Sequence, residues 1–109
     1  MKTGGKMPIH AMIDLETLAT DPHCTVLTVG GVKFNPNNDN EPYDEFYYKL
    51  DIDEQDALGR TVTDSTIEWW GKQDPKVKEE AFGDNGDRVS MEAMLTALSK
   101  WLVGADTIW

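Results

Sequence analysis

Apolar and polar positions follow two rhythms along this chain, with a period near two in its first half and near 3.6 in its second. Pro8-Ile9-His10-Ala11-Met12-Ile13 is a short, mostly apolar run that breaks into Asp14-Leu15-Glu16-Thr17, as a buried strand does on reaching the rim of a sheet. After a polar turn at Asp21-Pro22, residues 25–34 are rich in β-branched side chains and predict a second strand. Its Gly30-Gly31 pair points to a bulge or to close packing. Asn35-Pro36-Asn37-Asn38-Asp39-Asn40-Glu41-Pro42 holds nearly every turn-forming residue type and leads into a third strand over residues 45–50. These three strands form an antiparallel meander.

In the second half, Asp64 caps a short helix that passes through Ile67, Trp69 and Trp70 and stops at Gly71. Asp74 followed by Pro75 is a cap and first-turn signal for another helix, ending near Gly83. Asp84-Asn85-Gly86-Asp87 reads as a turn. Ser90 then caps the clearest helix, where Met91, Met94, Leu95, Leu98 and Leu102 fall at i, i+3, i+4, i+7 and i+11. Gly104 ends it, and Ala105-Asp106-Thr107-Ile108-Trp109 opens a fourth strand. A strand reached through a helix that crosses the sheet lies parallel to the first, so the order β-β-β-α-β gives a mixed α/β sheet.

Composition narrows the picture. At 109 residues the chain fits one domain, read here as residues 8–109 behind a loose leader at residues 1–7. Ten Lys and Arg against 20 Asp and Glu give a formal net charge of −10, which excludes coating of duplex nucleic acid through a broad basic surface. A nuclease remains possible, because carboxylate-bound divalent cations supply the positive charge that meets a phosphate. The single cysteine, Cys24, forbids an intrachain disulfide and suits a reducing cytoplasm. No apolar stretch approaches the ~20 residues that span a membrane, so no membrane partner is expected.

Asp14 and Glu16 stand two apart on a strand, so their side chains leave one face about 6.5 Å apart along the backbone. Both can converge on one cation, or one can bridge two. Hard oxygen ligands suit Mg²⁺ or Mn²⁺, and a metal pair is a standard clamp for phosphodiester cleavage. A solvated strand end is the alternative. Asp51-x-Asp53 and Glu54-x-Asp56 share the spacing but read as solvated or capping acids. His10 and His23 lack partners at ligand spacing and read as structural, and Cys24 reads as a small buried hydrophobe. Trp69 and Trp70, adjacent on a helix, differ by about 100° in direction, so one is core and the other is either packing or a platform for a base. Arg60 and Thr61 are candidates to hold a phosphate, against a solvated arginine.

Met12-Ile13-Asp14-Leu15-Glu16-Thr17-Leu18 resembles the first motif of the DnaQ-like, or DEDD, 3′-to-5′ exonucleases, in which an Asp-x-Glu pair binds two catalytic metals. Leu58-Gly59-Arg60-Thr61 followed by Ser65-Thr66-Ile67-Glu68-Trp69-Trp70 resembles a helical stretch of the phage and prophage branch, with its exodeoxyribonuclease VIII-like and exoribonuclease-like members. The resemblance implies a ribonuclease H-like fold, Mg²⁺ or Mn²⁺ on catalytic Asp14 and Glu16, and a single-stranded DNA or RNA 3′ end as substrate. Thr17 and Leu18 would line the place of the terminal nucleotide, with Trp69 or Trp70 beside it. Two further aspartates and a histidine or tyrosine base, which the family takes from later motifs, have no counterpart before Trp109. The chain is therefore expected to be an N-terminal portion, truncated before the last strand and helices and inactive alone. Self-association is expected through a sheet edge beside Ile108 and Trp109, and the host cytoplasm is the expected location. The alternative is a degenerate ribonuclease H-like module that binds a protein or a single strand without cutting.

Overall fold

A computed structural model describes residues 8–37, 42–83 and 86–109. The expected leader, residues 38–41 of the expected turn over residues 35–42 and residues 84–85 of that over residues 84–87 lie outside the described residues. The elements run β1 (His10–Thr17), β2 (Val26–Phe34), β3 (Asp44–Lys49), α1 (Ile52–Ala57), α2 (Asp64–Gly71), α3 (Pro75–Phe82), α4 (Met91–Trp101) and β4 (Thr107–Ile108). Strand order is β3-β2-β1-β4, with the meander antiparallel and β4 parallel to β1. The fold is the expected α/β mixed sheet.

Local chemistry explains most of the helix ends. The Asp74 carboxylate accepts from the Lys76 N–H with Pro75 in the first turn of α3, and the Ser90 hydroxyl accepts from the Ala93 N–H at α4. In α2 the N-cap is Thr63, so Asp64 lies inside the first turn rather than at the cap; there its charge still favours the helix dipole. The acids of residues 51–56 build a helix that was not expected. Asp51 caps α1, and Glu54 on α1 accepts from the Met91 N–H at the start of α4.

Strand alternation separates two faces. On one, Val26, Val29, Phe46 and Leu50 pack against Met94, with Ile13, Tyr48 and Trp101 around them. On the other, Leu18 and Leu27 pack against Trp70 of α2 and Ala81 of α3. The expected close packing of the glycine pair holds at Gly31, where a Cβ would lie 3.0 Å from two ring atoms of Trp101. The bulge is elsewhere. Pairing is continuous through Gly30 and Gly31, and the register shifts between Glu16, which faces Thr28, and Thr17, which faces Val26. Leu27 is the extra residue, and the shift explains why Val26 and Val29, three apart, share one core.

Candidate metal and nucleic-acid site

The same alternation sends Asp14 and Glu16 to the face turned away from α4. Register then decides their company. Asp14 faces Gly30, which faces Tyr47, while Glu16 faces Thr28, which faces Lys49. Trp70 of α2 and Val77, Glu80 and Ala81 of α3 close over this patch, leaving a cleft of about 210 Å³ that holds Asp14, Glu16, Thr28, Gly30 and Tyr47. Burial raises the pKa of the Glu16 carboxyl above its usual range, and the neighbouring Asp14 raises it further.

The far wall of the cleft is a hydrogen-bonded group that the sequence did not reveal. The Tyr47 hydroxyl donates to Glu80 Oε1 at 3.0 Å, and Lys49 Nζ lies 3.7 Å from Glu80 Oε2. Burial, and then the Glu80 carboxylate, push Tyr47 up to about 12. Tyr47 therefore keeps its proton near neutrality, where its hydroxyl acts as the donor to Glu80. Each of these residues looks ordinary in the sequence, and only the cross-strand register together with α3 brings them to the carboxylates.

A second cavity of about 380 Å³ lies on the other side of Glu16, lined by Leu15, Thr17, Thr20, Ser65, Thr66, Trp69 and Trp70. Glu16 and Trp70 line both spaces. Trp70 is 3% exposed and its indole N–H donates to the Thr17 carbonyl at 2.9 Å, which fixes the end of β1. Trp69 is 52% exposed and meets Trp70 edge-on at 5.0 Å between ring centres. The division of the two tryptophans into one core and one open ring thus matches the 100° argument.

Other candidates fall away from the site. Leu18 is 5% exposed and packs into the core with Leu27 and Trp70, because the chain turns inward past the bulge; only Thr17 of that pair lines a cavity. Arg60 Nε donates to the Cys24 carbonyl at 2.9 Å, so this guanidinium ties two loops together rather than meeting a phosphate. His10 Nδ1 accepts from the Trp109 indole at 3.1 Å, and Cys24 is half-buried. Among the described residues no three His, Cys, Asp or Glu side chains gather as a metal cage, and no helix is long and apolar enough to cross a membrane. Two carboxylates on one strand face do fit a hard cation that keeps several of its waters.

A family model described as the 3′-5′ exoribonuclease Rv2179c-like domain matches residues 9–109. The chain belongs to this family. Among relatives of this Rv2179c-like domain, an exodeoxyribonuclease of Enterobacteria phage T4 is 33% identical over 73 residues, covering 62% of this chain and 32% of the phage protein. The crystal structure of cell-death related nuclease 4 (CRN-4) matches with a TM-score of 0.50 at 16% identity, over 89% of this chain and 30% of that one. That likeness extends to the fold, a ribonuclease H-like mixed sheet. The chain spans about a third of the length of either protein.

Proposed function

We propose that this domain supplies the Asp-x-Glu part of a metal-dependent 3′-to-5′ exonuclease site acting on single-stranded DNA or RNA ends. The observation that carries this reading is the Asp14–Glu16 pair set between two cavities, with Glu16 lining both. Asp14 and Glu16 would hold Mg²⁺ or Mn²⁺, which supplies the positive charge that an acidic chain lacks for meeting a phosphate. Thr17 and the open face of Trp69 would receive the terminal nucleoside, while Trp70 holds the Thr17 backbone in place. The match to a phage exodeoxyribonuclease supports a phage-type branch, and the single cysteine supports a reducing host cytoplasm.

A second reading is a module that binds a single strand or a protein without cutting it; what favours it is that the third carboxylate of the cleft, Glu80, is engaged by Tyr47 and Lys49. Labelled 3′ ends separate the two. With Mn²⁺ present, the 109-residue chain is expected to release negligible nucleotide, whereas a longer form that carries further ligands and a base degrades the strand and loses that activity on Asp14→Ala or Glu16→Ala. Robust release by the short chain would mean that other residues of the same cleft, such as Glu80 or Tyr47, complete the site. An extended form that binds single strands but never cuts them would establish the second reading.

The β4 edge, where Ile108 and Trp109 are 55% and 64% exposed, supports self-association by strand pairing. Sedimentation at rising concentration is expected to reveal dimers, and a monomer throughout would remove that proposal.

A further inference from the structure

We propose that Gln55 is a positioning residue for the Asp14–Glu16 pair, acting through the bulge in β2. The metal readout below rests on the function proposed above; the register readout does not. β2 and β3 pair only as far as Thr28 and Lys49, so Val26 and Leu27 lie past the end of β3 just where the β1 register shifts beside Glu16. Their backbone groups need other partners, since a buried unpaired amide is costly. Gln55, fully buried on α1, takes both groups of Val26. Its Oε1 accepts from the Val26 N–H at 2.8 Å, and its Nε2 donates to the Val26 carbonyl at 2.8 Å and to the Asp51 carbonyl at 3.0 Å. The side-chain amide stands in for a strand at that point. One residue further, the Leu27 carbonyl accepts from the Leu50 N–H and from the Arg88 guanidinium.

This clamp holds the extra residue in β2, and the extra residue sets what lies beside Glu16. With the bulge, Leu27 enters the core beside Trp70 while Thr28 stays in the cleft opposite Glu16. Because strand side chains alternate, loss of the extra residue would turn every position on one side of it to the opposite face. Thr17 would then no longer face Val26, and the carbonyl that Trp70 holds would move with it. Gln55 contacts neither carboxylate; it fixes the strand against which both are aimed.

Gln55→Met keeps the length of the side chain and removes all its hydrogen bonds. Met94→Ala, which trims the core that Met94 shares with Val26 but leaves every Gln55 hydrogen bond in place, is the control for lost stability. Cross-strand NOEs read the register, Mn²⁺ line broadening at Asp14 and Glu16 reads the seat, and a thermal melt reads stability. Gln55→Met is expected to lose the Thr17–Val26 contact and to weaken Mn²⁺ by on the order of 10-fold, the scale of losing a group that orients a ligand. Met94→Ala is expected to melt earlier with both readouts unchanged. Wild-type register and Mn²⁺ affinity in Gln55→Met, or equal losses in Met94→Ala, would overturn the proposal. Should Gln55→Met not fold, hydrogen exchange in the wild-type chain decides: slow exchange at Val26, matching Val29, is expected, and fast exchange there overturns it. If Mn²⁺ fails to bind the wild-type chain, the metal reading falls, and the NOE and exchange results still judge Gln55.

Discussion

The two faces of the sheet are built from alternate residues of the same strands, yet they hold opposite kinds of chemistry. The α4 face places Val29 and Phe46 in a continuous apolar core under Met94. The cleft face places Asp14, Glu16 and Tyr47 one position away along the same chain, around open space. The first face carries stability throughout, because each side chain leaves water for apolar neighbours, whereas the second does so only where Leu18 and Leu27 pack under Trp70 and Ala81. The second holds a pair of like charges, with Glu16 partly withdrawn from water, and such an arrangement works against folding. Alternation lets one strand do both, since outside the bulge neighbouring residues point to opposite faces.

The sharpest way to break the comparison is to damage one face at a time. Met94→Ala is expected to lower stability by about 2–5 kcal/mol, the range for emptying a buried methionine site, with Mn²⁺ affinity unchanged. Asp14→Ala combined with Glu16→Ala should do the reverse, abolishing Mn²⁺ broadening with no loss in thermal midpoint. A shared loss of both properties in either variant would mean that the faces are coupled.

The glycine pair sharpens the contrast within two residues. At Gly31 a Cβ would stand 3.0 Å from Trp101 ring atoms and 3.2 Å from Ile13 Cδ1, so Gly31→Ala is expected to cost about 1–3 kcal/mol by overpacking. At Gly30 a Cβ would meet only the Tyr47 ring at 3.7 Å and the Asp14 carbonyl at 4.0 Å, which is ordinary contact. Gly30→Ala is expected to hold or gain stability, by up to about 1 kcal/mol, as alanine replaces glycine within a strand. Denaturant melts of the two variants test this directly. Equal destabilisation would show that the cleft side is as tightly packed as the core.

The same contrast explains what could be read from the sequence. Features set by neighbours in the chain were legible: the three meander strands, the Asp74-Pro75 start of α3, the Ser90 cap of α4, and the opposed directions of Trp69 and Trp70. Features set by distant partners were not. Helix α1 has six residues, and its one fully buried side chain is Gln55, so it shows no apolar stripe. The bulge depends on that glutamine, 29 positions from Val26, and leaves no local sign. Leu18 was placed with Thr17 because both follow the acidic pair, but the chain turns into the core between them. Tyr47 and Glu80 reach the cleft through cross-strand register and a helix.

The smallest expected effect belongs to Glu16 and tests whether the cleft face opposes folding. Burial, and next the Asp14 charge, raise its pKa above the ordinary 4.5. A folded state that holds this proton more tightly than the unfolded chain has its full benefit below about pH 4.5 and loses it as the pH rises through the folded pKa. Near neutrality the ionised carboxylate is a net cost to the metal-free fold. Glu16→Gln is therefore expected to melt slightly later than wild type at pH 7, with the two curves converging below the ordinary glutamate pKa. Added Mn²⁺ should reverse the order at pH 7, because an ion bound by Asp14 and Glu16 stabilises only the wild-type chain. Equal metal-free midpoints at pH 7, or a gap that widens toward acid, would show that Glu16 carries no such cost.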